Sequence, residues 1–466
     1  MDDKLTQLKE IFGEISDLNA AAALLGWDQN TYMPPGAAEA RGQQLATLSK
    51  LAHIKFTSLE VGKLLEDLMP WALEQNAQND EHYDARLIIV AARDYEKATR
   101  VPPEFVAEMA QVTTRAFEAW VEAKGKSDFA IFRPHLEKVV EMNQRFVTFF
   151  PPTDHPYDVL LDNYEPGMKT AEVQAIFETL RPQQVALIKA IAERPQVDDS
   201  CLRQHFPEKD QWEFGLEVAR AVGYDFNRGR QDKSPHPFTT SFGSDDVRIT
   251  TRVDEHFFNT MFFGTLHETG HALYEQGMHR YIKRTPLEGG ASLAIHESQS
   301  RLWENLVGRS RPFWEHFYPK LQQRFSSQLG NVSLDTFYKA INKVQPSLIR
   351  VEADEATYNL HIMLRLELEI AMLEGTVAIK DLPEIWNAKM QDYLGVTPPN
   401  DAKGVLQDVH WSNGMMGYFS TYALGNLISA QLWERFKQFV PELEDQIRQA
   451  EFTPLLSWLR VKIHQL

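Results

Sequence analysis

Residues 267–271 of the chain read His-Glu-Thr-Gly-His, and this segment limits the possible fold and chemistry more than any other. Residues four apart on an α-helix lie on one face, with about 5–6 Å between their Cβ atoms. The imidazoles of His267 and His271 can therefore reach one metal ion, and Glu268 can point at a water on that ion. The spacing predicts a helix with a Zn²⁺ site for hydrolysis. The alternative is an ordinary helix whose two histidines are hydrogen-bonded within the protein.

The residues around this motif favour a buried helix that follows a strand. Asp254 is the expected N-cap, apolar residues recur at helical spacing from Phe258, and Gly277 marks the expected end. Residues 246–253 alternate between apolar and polar side chains, which is typical of a β-strand. A strand beside the metal-binding helix suits a peptidase, because an exposed sheet edge can hold an extended peptide through backbone hydrogen bonds. The alternative is an ordinary short strand with no part in substrate binding.

A catalytic zinc site needs three protein ligands and an open position for water. Glu297 is the best candidate for the third ligand, because it follows a glycine-bearing turn and starts a helical segment that continues to Val307. His296 and Glu288 are rival ligands. The residues alone leave these three alternatives open.

Zinc-bound histidines usually donate their other ring N–H to a carboxylate or a carbonyl group. Some zinc peptidases have an acidic residue one helical turn after the third ligand, but this chain has Arg301 there. We therefore expect the partner to come from elsewhere, either Asp354 or a backbone carbonyl.

Length, charge and cysteine content restrict the class of protein. The chain has 466 residues with helical periodicity almost throughout and no low-complexity linker or repeat. It is expected to form a single catalytic domain over residues 1–466, as one body or as two lobes around a groove. A net charge of −17 argues against a nucleic-acid partner, which would require basic patches.

The same features predict a cytoplasmic protein. The start of the chain lacks the basic and apolar regions of a signal peptide, and no apolar run is long enough to cross a membrane. Cys201 is the only cysteine, so no intrachain disulfide can form, which favours a reducing compartment.

Five sequence blocks, taken in order, resemble the carboxypeptidase Taq family of metallocarboxypeptidases. An N-terminal stretch over residues 25–36, from Leu-Gly-Trp-Asp-Gln to Met-Pro-Pro-Gly, is also similar to that family. The resemblance therefore spans nearly the whole chain, and the ordered set is far more specific than the zinc motif alone. The five blocks are Asp-Val-Arg-Ile-Thr at 246–250, the motif at 267–271, His-Glu-Ser-Gln at 296–299, Ile-Arg-Val-Glu-Ala-Asp at 349–354, and Gly-Val-Leu-Gln-Asp-Val-His-Trp at 404–411.

The resemblance implies that His267, His271 and Glu297 bind the metal and that Glu268 is the general base and acid. It implies a mostly α fold with a long deep groove and a small β-sheet beside the zinc helix. It further implies release of single residues from peptide C-termini with broad preference, a homodimer, and Co²⁺ as a possible substitute for Zn²⁺.

A carboxypeptidase must also recognise the free α-carboxylate of its peptide substrate, which a guanidinium group can bind in a bidentate manner. Arg350 lies in the block that resembles the family's substrate-binding arginine, and Arg248 is the second candidate. The alternative for Arg350 is a structural ion pair with Glu352 or Asp354.

Three further residues are candidates for contacts with the substrate or the oxyanion. His410 and Tyr422 are expected to act in catalysis, with Tyr422 as the phenolic donor, and His236 is expected to bind substrate. The alternative for His410 and Tyr422 is that each is a packed aromatic or a surface residue. Two other functions remain open from the residues: a zinc endopeptidase with the same chemistry, and a non-enzymatic helical scaffold with a structural metal.

Overall fold

The structure, a computed structural model, describes residues 2–465. The part of the chain before the sheet is helical, and its helices are α1 (Asp2–Thr31), α2 (Ala38–Phe56), α3 (Leu59–Gln78), α4 (Tyr83–Arg100), α5 (Pro103–Lys126), α6 (Phe129–Val147), α7 (Tyr157–Leu161), α8 (Thr170–Ala192) and α9 (Glu208–Ala221). Helices α1 to α4 share a core of their own, to which Leu8, Phe12, Leu65 and Ile88 belong.

Three short strands follow: β1 (Gln231–Lys233), β2 (Thr239–Ser241) and β3 (Val247–Thr251). They form one sheet in the order β1-β3-β2, with β1 parallel and β2 antiparallel to β3. Ile249 at the centre of β3 pairs with Gln231 on one side and Thr239 on the other. β2 therefore forms one edge of the sheet.

The remainder of the chain is again helical. Its helices are α10 (Phe258–Gly277), α11 (Leu293–Arg301), α12 (Arg311–Arg324), α13 (Ser326–Leu329), α14 (Leu334–Ile341), α15 (Glu355–Glu374), α16 (Leu382–Leu394), α17 (Ser420–Phe439), α18 (Leu443–Arg448) and α19 (Thr453–Leu459). Two of them continue as π-helix: α11 over Leu302–Val307 and α19 over Arg460–His464.

Helix α10 lies at the centre of an aromatic core. Phe258 and Phe262 are one helical turn apart and stack on each other with ring centroids at 5.3 Å. Both contact Trp314 of α12, and the helix also packs on β3, α9 and α11. The apolar spacing in the sequence is thus explained by burial of nearly the whole helix, which gives its polar residues a rigid support.

The expected mostly helical fold with a small sheet beside α10 is confirmed. Gly277 ends α10 as expected, but the expectation that Asp254 is its N-cap is wrong. The side chain of Asp254 instead accepts a hydrogen bond from the backbone N–H of His256, in the turn before the helix. Within residues 2–465, no helix combines the length and apolar character that a membrane crossing requires.

Candidate metal centre

Helices α10 and α11 bring three ligand side chains together. The ligand atoms of His267, His271 and Glu297 all lie within 4.8 Å of one another. Oε2 of Glu297 is 3.6 Å from Nε2 of His267 and 3.4 Å from Nε2 of His271. Two imidazoles and one carboxylate at this spacing suit a zinc ion with a fourth position open to water. The structure therefore groups the three residues that the sequence predicted as metal ligands.

Two glycines allow the helices around the centre to approach closely. A Cβ atom added at Gly270 of α10 would lie 2.6 Å from the backbone oxygen of Gln299 in α11. A Cβ atom added at Gly425 of α17 would lie 2.7 Å from Cβ of Glu297. A side chain at Gly270 would force the backbone of α11 to shift, and one at Gly425 would collide with the side chain of Glu297.

The carboxylate of Glu297 is fixed by its neighbours on α11. Arg301 donates to Oε1 at 2.7 Å, and Ser300 donates to Oε2 at 2.9 Å. Burial opposes the charged form of Glu297, but Arg301 and the ligand histidines outweigh it and hold its pKa well below the usual range. The carboxylate is therefore ionised and oriented as a metal ligand must be.

Each ligand histidine has a hydrogen-bond partner on its other ring nitrogen. Nδ1 of His267 lies 2.8 Å from Oε2 of Glu304, and Nδ1 of His271 lies 2.6 Å from Nδ1 of His296. The expectation that Asp354 or a backbone carbonyl serves here is wrong. Asp354 instead caps α15, where its side chain accepts from two backbone N–H groups.

The rival ligands are engaged elsewhere. His296 uses one ring nitrogen on His271 and the other on Glu275, at 2.7 Å. Glu288 accepts hydrogen bonds from the backbone N–H groups of Ser244 and Arg284. Neither belongs to the group of ligand atoms that could hold a metal among the described residues.

Glu268 is buried beside the ligands and is held by the edge strand. The hydroxyl of Thr239 in β2 donates to Oε2 of Glu268 at 2.7 Å. Burial raises the pKa of Glu268, opposed by the nearby His267 and by the Thr239 hydrogen bond. The carboxylate is consequently a stronger base than an exposed glutamate.

The surroundings of the two histidines favour a bound cation. Burial alone would lower the pKa of His267, but Glu297 and Glu304 outweigh it and raise this pKa to about 9. Burial lowers the pKa of His271 to about 3. Two carboxylates thus attract positive charge to a pocket in which one imidazole is already neutral, which is the state a metal ligand needs.

Arg350 lies in a second buried cluster. It donates to Oδ1 of Asp408 from Nε at 3.0 Å and from Nη2 at 2.9 Å, and to the hydroxyl of Tyr358 from Nη1 at 2.7 Å. Arg365 pairs with the other oxygen of Asp408. The ion pair proposed with Glu352 or Asp354 is wrong, because the partner is Asp408, which lies far away in the sequence.

The second cluster adjoins the metal centre through two side chains. The guanidinium group of Arg301, which holds Glu297, lies 4.5 Å from the centroid of the Tyr358 ring. Tyr358 in turn accepts the hydrogen bond from Arg350. The guanidinium group of Arg350 is 4.9 Å from the ring centroid of Tyr422.

His410 and Tyr422 also belong to this second cluster. Nε2 of His410 is 3.5 Å from the hydroxyl of Tyr422. Burial lowers the pKa of His410 to about 4, so its imidazole is neutral at neutral pH. The structure thus brings Arg350, His410 and Tyr422 together, next to the predicted metal ligands.

Arg248 and His236 have different surroundings. Arg248 in β3 pairs with Asp246 and packs on the rings of Trp27 and Phe242, at 4.5 and 4.9 Å from their centroids. His236 is exposed between β1 and β2. Their roles in substrate binding stay predictions.

The sequence prediction missed Thr239, Glu304 and Asp408. Glu304 lies seven residues after Glu297, two helical turns along the same segment, so helical spacing was a usable signal. Asp408 stood within a matching block without an assigned role. The position of Thr239 depends on how a three-residue strand packs on α10, and no local pattern in the sequence indicates it.

A buried helix with two histidines and a glutamate in the His-Glu-x-x-His pattern, joined by a glutamate from the next helix in a group that could hold a metal ion, is the arrangement of a metallopeptidase. Comparison with known proteins gives the particular family. The chain belongs to the carboxypeptidase Taq (M32) metallopeptidase family, whose sequence pattern matches residues 7–466.

Similar proteins cover nearly the whole chain. It is 43% identical to thermostable carboxypeptidase 1 of Thermus thermophilus over 98% of this chain and 91% of the relative. It is 41% identical to carboxypeptidase 1 of Bacillus subtilis, again over 98% and 91%. The crystal structure of an M32 carboxypeptidase from Deinococcus radiodurans superimposes with a TM-score of 0.96 at 42% identity, over 99% of this chain and 92% of that one. The chain is therefore a metallocarboxypeptidase, and both the endopeptidase and the non-enzymatic alternatives are set aside.

Proposed function

We propose that the protein is a zinc carboxypeptidase that removes amino acids one at a time, with broad preference, from peptides with a free C-terminus. The observation that carries this proposal is the convergence of His267, His271 and Glu297, with the buried carboxylate of Glu268 beside them. The donor set of two imidazoles and one carboxylate fits Zn²⁺, and Co²⁺ suits the same donors. A bound zinc ion supplies an acidified water and polarises the scissile carbonyl.

Glu268 is the proposed general base and acid. Its raised pKa suits it to take a proton from the attacking water and to pass that proton to the leaving amine. Thr239 donates to Oε2 of the carboxylate and orients it, and Oε1 is the oxygen proposed to transfer the proton. Tyr422 and His410 are the proposed hydrogen-bond donors for the oxyanion, since both are neutral and adjoin the centre through Tyr358.

Arg350 is the proposed site for the substrate α-carboxylate. The cluster contains two guanidinium groups, Arg350 and Arg365, that share the carboxylate of Asp408. Burial and the two arginines together keep the neighbouring His410 uncharged, with a pKa of about 4. An excess of buried positive charge of this kind favours an incoming carboxylate. Arg248, on the central strand β3, and His236, between β1 and β2, are proposed to contact residues further along the peptide.

The proposal is tested with peptide pairs that differ only at the C-terminus, as a free acid or an amide. Mass spectrometry of the digests follows enzyme that has been stripped of metal with a chelator and then restored with zinc. We expect single-residue ladders from the free acid, resistance of the amide, no turnover without metal, and inactivity of E268Q at unchanged metal content. R350K should raise KM for the free acid and narrow its advantage over the amide, whereas R248K should keep that advantage.

Equal cleavage of the acid and the amide would contradict the role of Arg350. Turnover by E268Q at the rate of the unaltered enzyme would contradict the role of Glu268. If R248K, and not R350K, loses the preference for a free C-terminus, then Arg248 is the carboxylate site.

We also propose that residues 1–466 act as a single catalytic domain, that the protein is a homodimer, and that it works in the cytoplasm. The match over residues 7–466 supports the first proposal, and the resemblance to the family supports the second. Cys201, a free cysteine, agrees with a reducing compartment. Analytical ultracentrifugation of the full chain and cell fractionation test the dimer and the location.

A further inference from the structure

His296 forms a bridge between a proposed metal ligand and a second carboxylate. It lies on α11, one residue before Glu297, and its Nδ1 is 2.6 Å from Nδ1 of His271. Its Nε2 is 2.7 Å from Oε1 of Glu275. Glu275 lies one helical turn after His271 on α10, so the three side chains close a ring of contacts between the two helices.

The hydrogen bonds determine where the protons lie. The contact with Glu275 pairs Nε2 of His296 with a carboxylate oxygen, so the tautomer that satisfies it carries the ring proton on Nε2 and donates it to Glu275. In that tautomer Nδ1 of His296 carries no proton and accepts, and His271 donates from Nδ1. The proton on Nδ1 leaves Nε2 of His271 with a free lone pair, 3.4 Å from Oε2 of Glu297. That lone pair is the one a metal ligand needs.

His267 also presents a free lone pair on Nε2, but no imidazole lies between it and its carboxylate partner. Nδ1 of His267 pairs directly with Glu304 at 2.8 Å. Both ligand histidines therefore present Nε2, but His271 depends on an additional imidazole between it and its carboxylate. Without His296, no carboxylate is hydrogen-bonded to His271 on the Nδ1 side among the described residues.

The ring of His296 is held on its faces as well as at its nitrogens. Its centroid is 5.1 Å from the Tyr274 ring and 4.6 Å from the ring of His271. Gly290 leaves room for it, since a Cβ atom there would lie 2.8 Å from Cδ2 of His296. A ring packed in this way cannot turn to exchange its two nitrogens without displacing its neighbours.

We propose that His296 is a positioning residue that links Glu275 to His271 and thereby fixes His271 in the tautomer that presents Nε2 to the metal. This proposal rests on the proposed ligand set of His267, His271 and Glu297. Partners of this kind typically change metal affinity by about 10–100-fold when they are removed.

The test measures the zinc dissociation constant of the full-length protein by competition with a chelating dye. H296L should raise this constant roughly 10–100-fold. E275L should raise it in the same direction, because His296 is then free to adopt the other tautomer. The double variant H296L/E275L should bind zinc no more weakly than H296L, since the two residues act as one unit.

His464 supplies a matched control for packing damage. Its ring centroid is also 5.1 Å from Tyr274, and it is more deeply buried than His296, but its hydrogen bond goes to Gln299 rather than to a proposed ligand. H464L should keep the zinc dissociation constant within about threefold of the unaltered protein, as expected for a site outside the partner network. Thermal unfolding in chelator shows whether each variant is folded before metal is added.

Other results would show whether the role of His296 or the proposed ligand set is wrong. The proposal is overturned if H296L binds zinc as tightly as the unaltered protein, if H464L is weakened as much as H296L, or if the effects of H296L and E275L simply add. If H296L does not fold without metal, H296N takes its place as the test variant. Asparagine keeps an acceptor near the position of Nδ1 but cannot reach Glu275. Unaltered zinc affinity in H296N would overturn the proposal. H271A separates this result from the ligand set: if H271A still binds zinc tightly, the proposed ligands themselves are wrong.

Discussion

The hydroxyl group of Thr239 donates a hydrogen bond to Oε2 of Glu268 at 2.7 Å. The same hydroxyl also lies 3.0 Å from the backbone oxygen of Glu268. Thr239 belongs to the edge strand β2, and Glu268 to the helix that bears the two histidines. The proposed base is therefore oriented by the sheet, and a change in the strand should alter catalysis without altering metal binding.

T239V tests this connection. Valine preserves the β-branched shape but lacks the hydroxyl, so Glu268 loses one of the bonds that orient it. A hydrogen bond to a charged group contributes about 1.5–3 kcal/mol, so kcat should fall roughly tenfold to a hundredfold. Steady-state kinetics at measured zinc content provide the check. T239S keeps the hydroxyl and should retain most of the activity; a fully active T239V would show that Thr239 does not orient the base.

R301L should destabilise the metal-free protein. Arg301 is buried between two carboxylates, 2.7 Å from Oε1 of Glu297 and 3.3 Å from Oε2 of Glu304. Removing one partner of a buried ion pair leaves uncompensated charge and costs about 3–5 kcal/mol. Urea unfolding in chelator measures the loss, and saturating zinc should recover part of it, because the cation offsets the charge of Glu297.

Arg324 is the matched control for R301L. It is partly exposed and pairs with Glu213 at 2.8 Å and with Asp210 and Glu217 at 3.9 Å, and all three carboxylates are exposed to water that screens the charges. R324L should lower the free energy of unfolding by less than about 1 kcal/mol. Equal losses in the two variants would mean that the Arg301 pairs contribute no more than surface pairs.

G270A should weaken the contact between α10 and α11. The added methyl group would meet the backbone of α11, which cannot move aside as a flexible side chain can. Overpacking of this kind costs about 1–3 kcal/mol of unfolding free energy. Zinc affinity should fall as well, because the two helices hold different ligands.

G264A on the same helix is the control for G270A. A Cβ atom at Gly264 would lie 4.0 Å from its nearest neighbours, Pro237 and Thr251, which is ordinary contact. Replacing a helical glycine with alanine at an open position stabilises by about 0.5–1 kcal/mol. The midpoint of urea unfolding should therefore fall for G270A and rise for G264A. A stabilised G270A would contradict the close approach of α10 and α11.

The sequence was sufficient where the relevant geometry is local. His267 and His271 are set by the period of one helix, and Glu297 by a turn followed by the next helix. Their convergence needed only that α10 and α11 pack together, which Gly270 permits. The start of α10 was misplaced because Asp254 is a strong capping residue type, yet its side chain is used within the preceding turn.

Local sequence patterns cannot predict contacts between segments that lie far apart in the chain. Asp354 was expected to support a ligand, but Asp-Glu-Ala-Thr at 354–357 is also a helix-start signature, and capping is what Asp354 does. Arg350 and Asp408 come from separate segments that only the tertiary fold joins. The sequence offered His296 as a rival metal ligand, whereas it contacts the predicted ligand His271.

The stability of the protein should depend on pH through Glu369. This buried carboxyl group on α15 accepts hydrogen bonds from the Tyr157 hydroxyl, the indole of Trp411 and the backbone N–H of Gly417. Burial raises its pKa from 4.5 to about 7, against the effect of these donors. Between those values the folded protein holds a proton that the unfolded chain has released, so the contribution of Glu369 to stability falls as pH rises through this window.

E369Q removes this titration while keeping the shape of the side chain. The difference in unfolding free energy between the unaltered protein and E369Q should change by about 3 kcal/mol between pH 4.5 and pH 8, to the disadvantage of the unaltered protein at high pH. Urea unfolding at several pH values measures it, and titration of the metal-ligand histidines cancels in the difference because both proteins share them. E384Q, at an exposed position on α16, is the control and should show no such trend. A constant difference for E369Q would mean that Glu369 stays ionised when folded, and that its three donors, which hold the segment bearing His410, outweigh its burial.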